Sequence, residues 1–247
     1  AYIQHVQEND LSVGVAMTDG KGDRSKRPSQ QEVRDAYVHV TERRKDGIVI
    51  SGVKAIITGA PYMHEFLVMP CRRMQEDDKD FTVACAVPVD AEGITIVARP
   101  AGRPENPAAK MSAKFAQAVG VAHFDNVFVP YDKVFIDGEI DEAHIMTTHY
   151  ATHHRHSCIG ARAGVGDLLI GAGAMMAEAN GLDVEKKGHM REKMVDLIKI
   201  TEGFYACGIA ASTMGVHDEA GNFRPDQIYS NIGKLLLANQ IYDMHRL

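Results

Sequence analysis

The sequence lacks most of the features that mark nucleic-acid-binding, disulfide-rich and membrane-embedded proteins. Its 247 residues have a formal net charge of −6, and Lys and Arg never form a long block, so a phosphate-backbone partner is not indicated. Its four cysteines include no CxxC pair, which argues against a disulfide framework or a self-contained zinc site. No apolar run approaches the roughly 20 residues that span a bilayer. We therefore expect neither a nucleic-acid nor a membrane partner.

The two ends of the sequence also lack terminal signals. Residues 1–6 have no initiator Met and no charged region followed by an apolar segment, so a secretory signal is not indicated. Residues 243–247 still follow a helical apolar rhythm, without the Gly or Pro that usually ends a helix. We interpret the chain as a fragment of a longer cytoplasmic protein.

The first 130 residues are predicted to form mainly β-structure after a helix over residues 1–9. Asp46-Gly47 separates an alternating run, Ala36–Arg43, from a β-branched run, Ile48–Ile57, which is the pattern of a hairpin. Further short runs predict strands at residues 11–17, 65–69, 81–87, 95–98 and 122–129. Their spacing indicates an antiparallel barrel or sandwich, and the Pro-, Ala- and Gly-rich residues 99–114 predict a surface excursion.

After Pro130 the apolar periodicity becomes helical. Residues 165–179 are rich in Ala, Gly and Met, which is typical of a helix buried among other helices. Further helices are predicted over about residues 187–214 and from Asp226 to the end. The fold class is therefore α+β, a β module followed by the start of a helical bundle, with the boundary near residues 131–139.

Residues 153–167 carry the densest chemistry in the chain. This stretch combines three imidazoles, one thiol and two guanidinium groups with a run of small residues. Such polar groups need partners when they are buried, so a sequence rarely places them together in a core without a purpose. We predict that this segment forms the floor of an active site.

A second candidate is the loop Thr18–Arg24, which contains two glycines among charged residues. Such a loop can present backbone N–H groups and an Arg to a phosphate or to a polar ring edge. It matches neither the Walker pattern nor GxGxxG, and a solvated turn is the alternative interpretation.

Motifs along the whole chain resemble one flavoprotein family. The segments that carry the likeness are residues 10–13, 16–24, 52–55, 58–59, 64–70, 78–81, 124–130, 154–155 and 164–167. They are similar to the 4-hydroxybutyryl-CoA dehydratase/vinylacetyl-CoA isomerase branch of the 4-hydroxyphenylacetate 3-hydroxylase family. The resemblance implies an acyl-CoA dehydrogenase-like subunit, usually in a homotetramer. Residues 1–9 would end its helical N-terminal domain, residues 10–130 would form the β middle domain and residues 131–247 would begin the C-terminal bundle.

The resemblance also implies FAD and an acyl-CoA substrate. In this chain Thr58 would contact the reactive edge of the flavin. The other implied flavin contacts lie in or before the Gly-rich loop: Val15, Ala16, Met17, Thr18, Lys21, Gly22, Asp23 and Arg24. A hydroxyl and the backbone amides of such a loop are suited to bind ring heteroatoms. Arg162, where the family carries a Lys, would be an electrostatic partner for substrate or flavin.

The dehydratase branch uses a [4Fe-4S] cluster held by three Cys and one His, and this chain departs from that pattern. His154 matches the ligand His, which can also act as a base. A ligand Cys falls at Ala161, a site Tyr at Cys158 and a site Glu at Val119. The cluster is therefore absent, or it is held differently with Cys158 as a substitute ligand.

Helical geometry places His154 and Cys158, four residues apart, on one face. A separate stripe of His149, His153 and His156 could bind zinc, although helical histidines more often line polar interfaces.

Three functions follow from these residues. Double-bond isomerisation needs only proton transfers beside a thioester, so we favour it over true dehydration of a 4-hydroxyacyl-CoA. The first alternative is a reduced-flavin-dependent monooxygenase. A phenol hydroxylase is disfavoured, because the substrate-contacting His of that branch falls at Val15. The second alternative is a non-catalytic flavin-binding homologue.

Overall fold

The computed structural model describes residues 1–102, 108 and 110–247. They form two compact units, Ala1–Thr147 and Thr148–Leu247. The predicted domain borders after residues 9 and 130 are not tested by this division, and they stay predictions.

The first unit contains two four-stranded sheets. One sheet has the order β1 (Val13–Ala16), β4 (Glu65–Val68), β5 (Val83–Pro88) and β8 (Val134–Asp137). The other has the order β2 (His39–Arg43), β3 (Gly47–Thr58), β7 (Val119–Pro130) and β6 (Ile94–Arg99). Helices α1 (Tyr2–Glu8) and α2 (Lys110–Phe115) complete this unit, together with the first residues of α3.

The predicted hairpin is confirmed, and the predicted strand arrangement needs two corrections. β2 and β3 pair antiparallel on either side of Asp46, as the Asp-Gly turn indicates. However, β1 pairs with β4 in parallel, with Val13 opposite Glu65, so the module is not wholly antiparallel. Within the described residues neither sheet closes on itself, so of the two predicted arrangements a closed barrel does not form, and the sandwich stays a prediction.

Alternating side chains of both sheets meet in one buried cluster. It includes Phe66 of β4, Cys85 of β5, Ile50 of β3 and Phe124 of β7, each fully buried. Strands place every second side chain on the same face, so the apolar alternation that predicted the strands also builds this core. The excursion predicted for residues 99–114 lies partly outside the described residues, and its described part includes the exposed helix α2.

The second unit consists of most of α3 (Ile140–Ala179), α4 (Gly188–Thr213), α5 (Gln227–Arg246) and a hairpin of β9 (Val216–His217) and β10 (Phe223–Arg224). Its core is small, with Ile159 of α3, Phe204 of α4 and Leu237 of α5 among the buried residues. A Cβ at Gly233 would overlap Ile159, so glycine there lets α5 approach α3 closely. The helices predicted over residues 187–214 and from Asp226 are confirmed to within two residues. Residues 165–179 are helical within α3, but the prediction that they are buried among other helices is wrong, since Met175 and Met176 are 72% and 68% exposed.

α3 contains a longer apolar stretch than the sequence analysis identified. By length and composition it could cross a membrane, since one 18-residue window has a mean hydropathy of 1.2. Only 17% of that window is buried. The same test is passed by core helices of soluble proteins, so this finding alone is weak evidence for a membrane span.

Candidate functional site

The Gly-rich loop that follows β1 is anchored by a buried ion pair. Lys54 of β3 and Asp19 of the loop are each 2% exposed, and Lys54 Nζ lies 2.6 Å from Asp19 Oδ1. The same ammonium donates to the carbonyls of Met17, at 2.9 Å, and Met69, at 2.8 Å. Cys71 Sγ donates to the other oxygen of Asp19, at 3.2 Å. The partners compensate the charges of both buried groups, and this network fixes the start of the loop against β3.

Backbone geometry holds the rest of the loop. Lys21 and Gly22 adopt left-handed conformations, with φ of 71° and 45°. A Cβ at Gly22 would overlap the side chain of Gln31, whose Oε1 accepts from the N–H of Asp23 at 2.9 Å. Glycine is therefore required at this point of the turn. Hydrogen bonds from Ser25 lower the pKa of the Asp23 carboxyl.

Thr58 lies at the end of β3, close in sequence to Lys54, the strand residue that holds the Gly-rich loop. The N–H of Ala55 donates to the carbonyl of Thr18, at 2.6 Å. Between Ala55 and Thr58 the strand has a bulge in which Ile56 takes a φ of 59° and is 68% exposed. A left-handed conformation is strained for a β-branched residue, and strain of this kind is often found at functional sites. Val119 is the cross-strand partner of Thr58.

The Gly-rich loop and Thr58 together form the first candidate site, and their residues fit a flavin dinucleotide. The hydroxyls of Thr58, which is exposed, and Thr18, which is half-buried, make no hydrogen bond within the described part of the chain. Each is therefore available to a ring heteroatom. Lys21 and the exposed Arg24 supply positive charge for a diphosphate. Val15 is half-buried in β1 and Ala16 is fully buried, so only the backbone of Ala16 is available to a ligand.

The second candidate site is one face of α3 in the helical unit. The imidazole of His154 is exposed and stacks on Tyr150, with ring centroids 5.8 Å apart and an interplanar angle of 20°. Cys158 Sγ lies 3.8 Å from His154 Nε2, which confirms that the two side chains share a face. Burial, and then the nearby Cys158, raises the pKa of the Tyr150 phenol. Arg162 continues this face by one turn and is exposed.

The other histidines of α3 have separate partners. Arg224 donates through Nη1 to Nε2 of His149, at 2.7 Å, while His156 Nε2 donates to the carbonyl of Gly208, at 3.2 Å. His153 is exposed. Within the stripe, His149 therefore contacts the β9–β10 hairpin and His156 contacts α4, so the histidines do not share a partner.

The described residues do not by themselves fit an iron–sulfur cluster. A cluster held by three Cys and one His needs four such side chains at one place, and no group of three or more His, Cys, Asp or Glu converges within residues 1–102, 108 and 110–247. His154 and Cys158 are only two candidates, and Ala161 has no group that can bind iron. Metal binding by His154 and Cys158 stays a prediction.

Sequence reasoning identified the loop but missed the residues that shape it. Lys54 and Asp19 appeared only as parts of motifs. A Lys inside a strand of Val, Ile and Ala is a usable signal, since a buried ammonium needs a partner. The strained Ile56 gave no signal, because a backbone φ is not visible in residue types. Tyr150, four residues before His154, could have been found from helical spacing.

Two family models together match nearly the whole chain. The first, described as 4-hydroxyphenylacetate 3-hydroxylase N terminal, matches residues 1–136. The second, described as 4-hydroxyphenylacetate 3-hydroxylase C terminal, matches residues 143–247.

Among characterised proteins, the 4-hydroxybutyryl-CoA dehydratase/vinylacetyl-CoA-Delta-isomerase of Clostridium aminobutyricum is 38% identical over 255 aligned residues. The match covers 100% of this chain and 51% of that protein. The chain therefore spans about half the length of this relative.

Solved structures of dehydratases and of 4-hydroxyphenylacetate 3-monooxygenase components are also similar to this chain. An oxygen-tolerant archaeal 4-hydroxybutyryl-CoA dehydratase from N. maritimus has a TM-score of 0.91 at 34% identity, over 99% of this chain and 49% of that one. The oxygenase component of 4-hydroxyphenylacetate 3-monooxygenase, complexed with FAD, has a TM-score of 0.84 at 25% identity, over 99% and 51%. A steroid ACAD matches at 18% identity with a TM-score of 0.68, over 99% and 57%, which supports the acyl-CoA dehydrogenase-like fold alone.

Proposed function

The chain belongs to the 4-hydroxyphenylacetate 3-hydroxylase family, and on that premise we propose that it is part of a flavin-dependent enzyme acting on a short-chain acyl-CoA. The reaction is the isomerisation of a double bond or the dehydration of a 4-hydroxyacyl-CoA. The similarity over the full length of this chain to a dehydratase/isomerase supports this substrate class.

The observation that carries the proposal is the exposed imidazole of His154. Its ring is stacked on Tyr150 and lies beside Cys158, so its orientation is restricted while the side chain stays exposed. An imidazole exchanges protons near neutral pH, which suits a general base and acid.

In the isomerisation His154 removes a proton from the carbon between the thioester carbonyl and the double bond. The double bond then shifts into conjugation with the carbonyl, and a proton is returned to its far carbon. The number of protons is unchanged, so no other reactant is needed. Arg162, one turn beyond Cys158 on α3, supplies positive charge that stabilises the enolate-like charge formed during the transfer.

FAD, when bound, would supply redox chemistry. In this chain the residues proposed to hold it are Thr58 and the loop from Val15 to Arg24. Thr58 offers a free hydroxyl at the ring edge, and the Lys54–Asp19 pair keeps the loop in position.

Two substitutions favour isomerisation over dehydration. The dehydratase branch would place a Cys at Ala161 and a Glu at Val119, and Val119 is the strand partner of Thr58. A methyl group and an isopropyl group can neither bind iron nor transfer a proton. Isomerisation depends on neither group.

The absorption spectrum and iron content of the full-length protein test the proposed class. Flavin bands without iron support the isomerase. Flavin bands with a broad iron–sulfur shoulder would favour the dehydratase, and a colourless protein would favour a non-catalytic homologue. Hydroxylation of an aromatic substrate with reduced flavin, without isomerase activity, would favour the monooxygenase, a class also found among relatives at 26% identity.

The base is tested by His154→Ala. We expect loss of vinylacetyl-CoA isomerisation by about 100-fold or more, because general-base catalysis contributes about that factor, while flavin binding is retained. Formation of the conjugated thioester is followed by its ultraviolet absorbance. The matched control is His153→Ala, which removes an exposed imidazole one residue away and should leave the rate unchanged. Undiminished turnover in His154→Ala would refute the assignment.

We further propose a cytoplasmic protein that assembles as a homotetramer. Four free cysteines suit a reducing compartment. Exposed apolar side chains on the helical unit, such as Ile228, Leu235 and Tyr242, suit coverage by further protein. A measured mass of four full-length chains by light scattering would support the assembly, and a monomer would refute it.

A further inference from the structure

The thiol of Cys158 is placed beside His154 in the way that a nucleophile is placed beside its base. Cys158 Sγ lies 3.8 Å from Nε2 and 3.9 Å from Nδ1 of the imidazole. A neutral imidazole has one accepting nitrogen, so either tautomer has its acceptor near the thiol. The stack on Tyr150 restricts the ring, and a third group that orients the base is a common feature of covalent catalysis.

The other three thiols have different surroundings. Cys85 is fully buried, and burial raises its pKa to about 12. Burial, and then the nearby Asp19, raises the pKa of Cys71. Cys207 donates to the carbonyl of Gly203, at 3.4 Å, and a backbone carbonyl does not remove a proton. Within the described residues, contact between a thiol and an imidazole therefore occurs at Cys158.

A ligand on this face of α3 can reach both members of the pair. Cys158 is half-buried and His154 is exposed. The exposed Arg162 follows Cys158 by four residues, which is about one helical turn. A thiolate is the reactive form of cysteine, and an adjacent base that takes the thiol proton produces it. The electrophile that suits a thiolate here is the carbonyl carbon of a thioester.

We propose that Cys158 accepts the acyl group of an acyl-CoA by thioester exchange. This inference rests on the proposed function for its substrate class, and it adds an acyl-transfer activity to the same face. His154 takes the proton of the thiol, and the thiolate forms a bond to the carbonyl carbon. The bond between that carbon and the sulfur of CoA then breaks, and the CoA thiolate takes the proton from His154. One thioester replaces another, so the step is reversible and needs no oxidant or reductant.

Butyryl-CoA tests the step in the flavin-loaded, full-length protein, because it has no carbon–carbon double bond and cannot isomerise. The intact protein should gain the mass of one butyryl group, peptide mapping should locate it at Cys158, and hydroxylamine should remove it. Cys158→Ala should abolish the adduct. The matched control Cys207→Ala removes the half-buried thiol of α4 and should leave acylation unchanged.

The role of the base is tested by the rate of acylation. His154→Ala should slow it by about 100-fold or more, the factor that general-base catalysis typically contributes. His153→Ala, which removes the neighbouring exposed imidazole, should leave the rate unchanged. Cys158 should also react faster than Cys207 within the wild-type protein, and this comparison does not depend on the folding of a variant.

Three results would overturn the inference: no adduct, equal acylation of Cys158 and Cys207, or an undiminished rate in His154→Ala. Isomerisation of vinylacetyl-CoA by the same protein is measured in parallel. Isomerisation without acylation would refute this inference and leave the proposed function intact. Acylation of Cys158 without isomerisation would support this inference and refute the isomerase assignment.

Discussion

The two units of this protein differ in how their buried polar groups are paired. In the β unit, buried charged side chains are paired: Lys54 with Asp19, and the carboxylates of Asp78 and Glu65 with the partly buried Arg27 and Lys133. In the helical unit most charged groups are exposed, and a buried Thr201 hydroxyl and the Arg224 Nε–H have no partner among the described residues. The β unit therefore pairs its buried charged groups internally, whereas the described part of the helical unit leaves two buried polar groups unpaired.

The largest expected effect comes from breaking the buried pair of the β unit. Lys54→Met leaves the Asp19 carboxylate buried without its cation, which should lower the free energy of unfolding by about 3–5 kcal/mol. Circular dichroism during urea denaturation measures this, since the chain has no Trp. Lys79→Met removes a lysine from an exposed pair with Glu76, and it should cost less than about 1 kcal/mol. Equal losses for both variants would mean that the buried Lys54–Asp19 pair stabilises the protein no more than an exposed pair does.

A weaker, pH-dependent effect is expected at Asp78. Burial raises the pKa of this carboxyl, but hydrogen bonds from Ser29, Arg27 and Gln75 outweigh burial, and the net pKa is lowered. The unfolded carboxyl binds its proton near pH 3.9, so between that value and the lowered folded pKa the unfolded state holds more protons. The contribution of Asp78 to stability is therefore complete above about pH 4 and is lost as the pH falls through the folded pKa.

Asp78→Asn should flatten this acid dependence of unfolding. The matched control is Asp77→Asn, which changes a neighbouring exposed carboxyl and should leave the dependence unchanged. If the free energy of unfolding falls as steeply with acid in Asp78→Asn as in the wild type, other carboxyl groups cause the acid dependence.

The sequence predicts those features that depend on local patterns. Alternating apolar residues locate the strands, Asp46-Gly47 locates the hairpin, and helical spacing brings His154 and Cys158 together. The parallel pairing of β1 with β4 connects residues about 50 positions apart, and no local pattern encodes it. The left-handed Ile56 and the contact between His149 and Arg224 depend likewise on tertiary structure. Residue types therefore identify candidate groups, while their partners require the fold.

The smallest expected effect concerns two buried threonines. Replacing each by valine should change the free energy of unfolding in opposite directions. Thr82 of the β unit donates through Oγ1 to the carbonyl of Asp78, at 3.0 Å, so Thr82→Val loses a buried hydrogen bond and should destabilise by about 1–3 kcal/mol. Thr201 of α4 has no partner for its buried hydroxyl among the described residues. Thr201→Val replaces this hydroxyl by a methyl group of similar shape, and it should be neutral or stabilise by up to about 1 kcal/mol. Urea denaturation of both variants measures the two changes. Destabilisation of similar size in both would mean that the Thr201 hydroxyl has a partner in solution and that the two units do not differ in this respect.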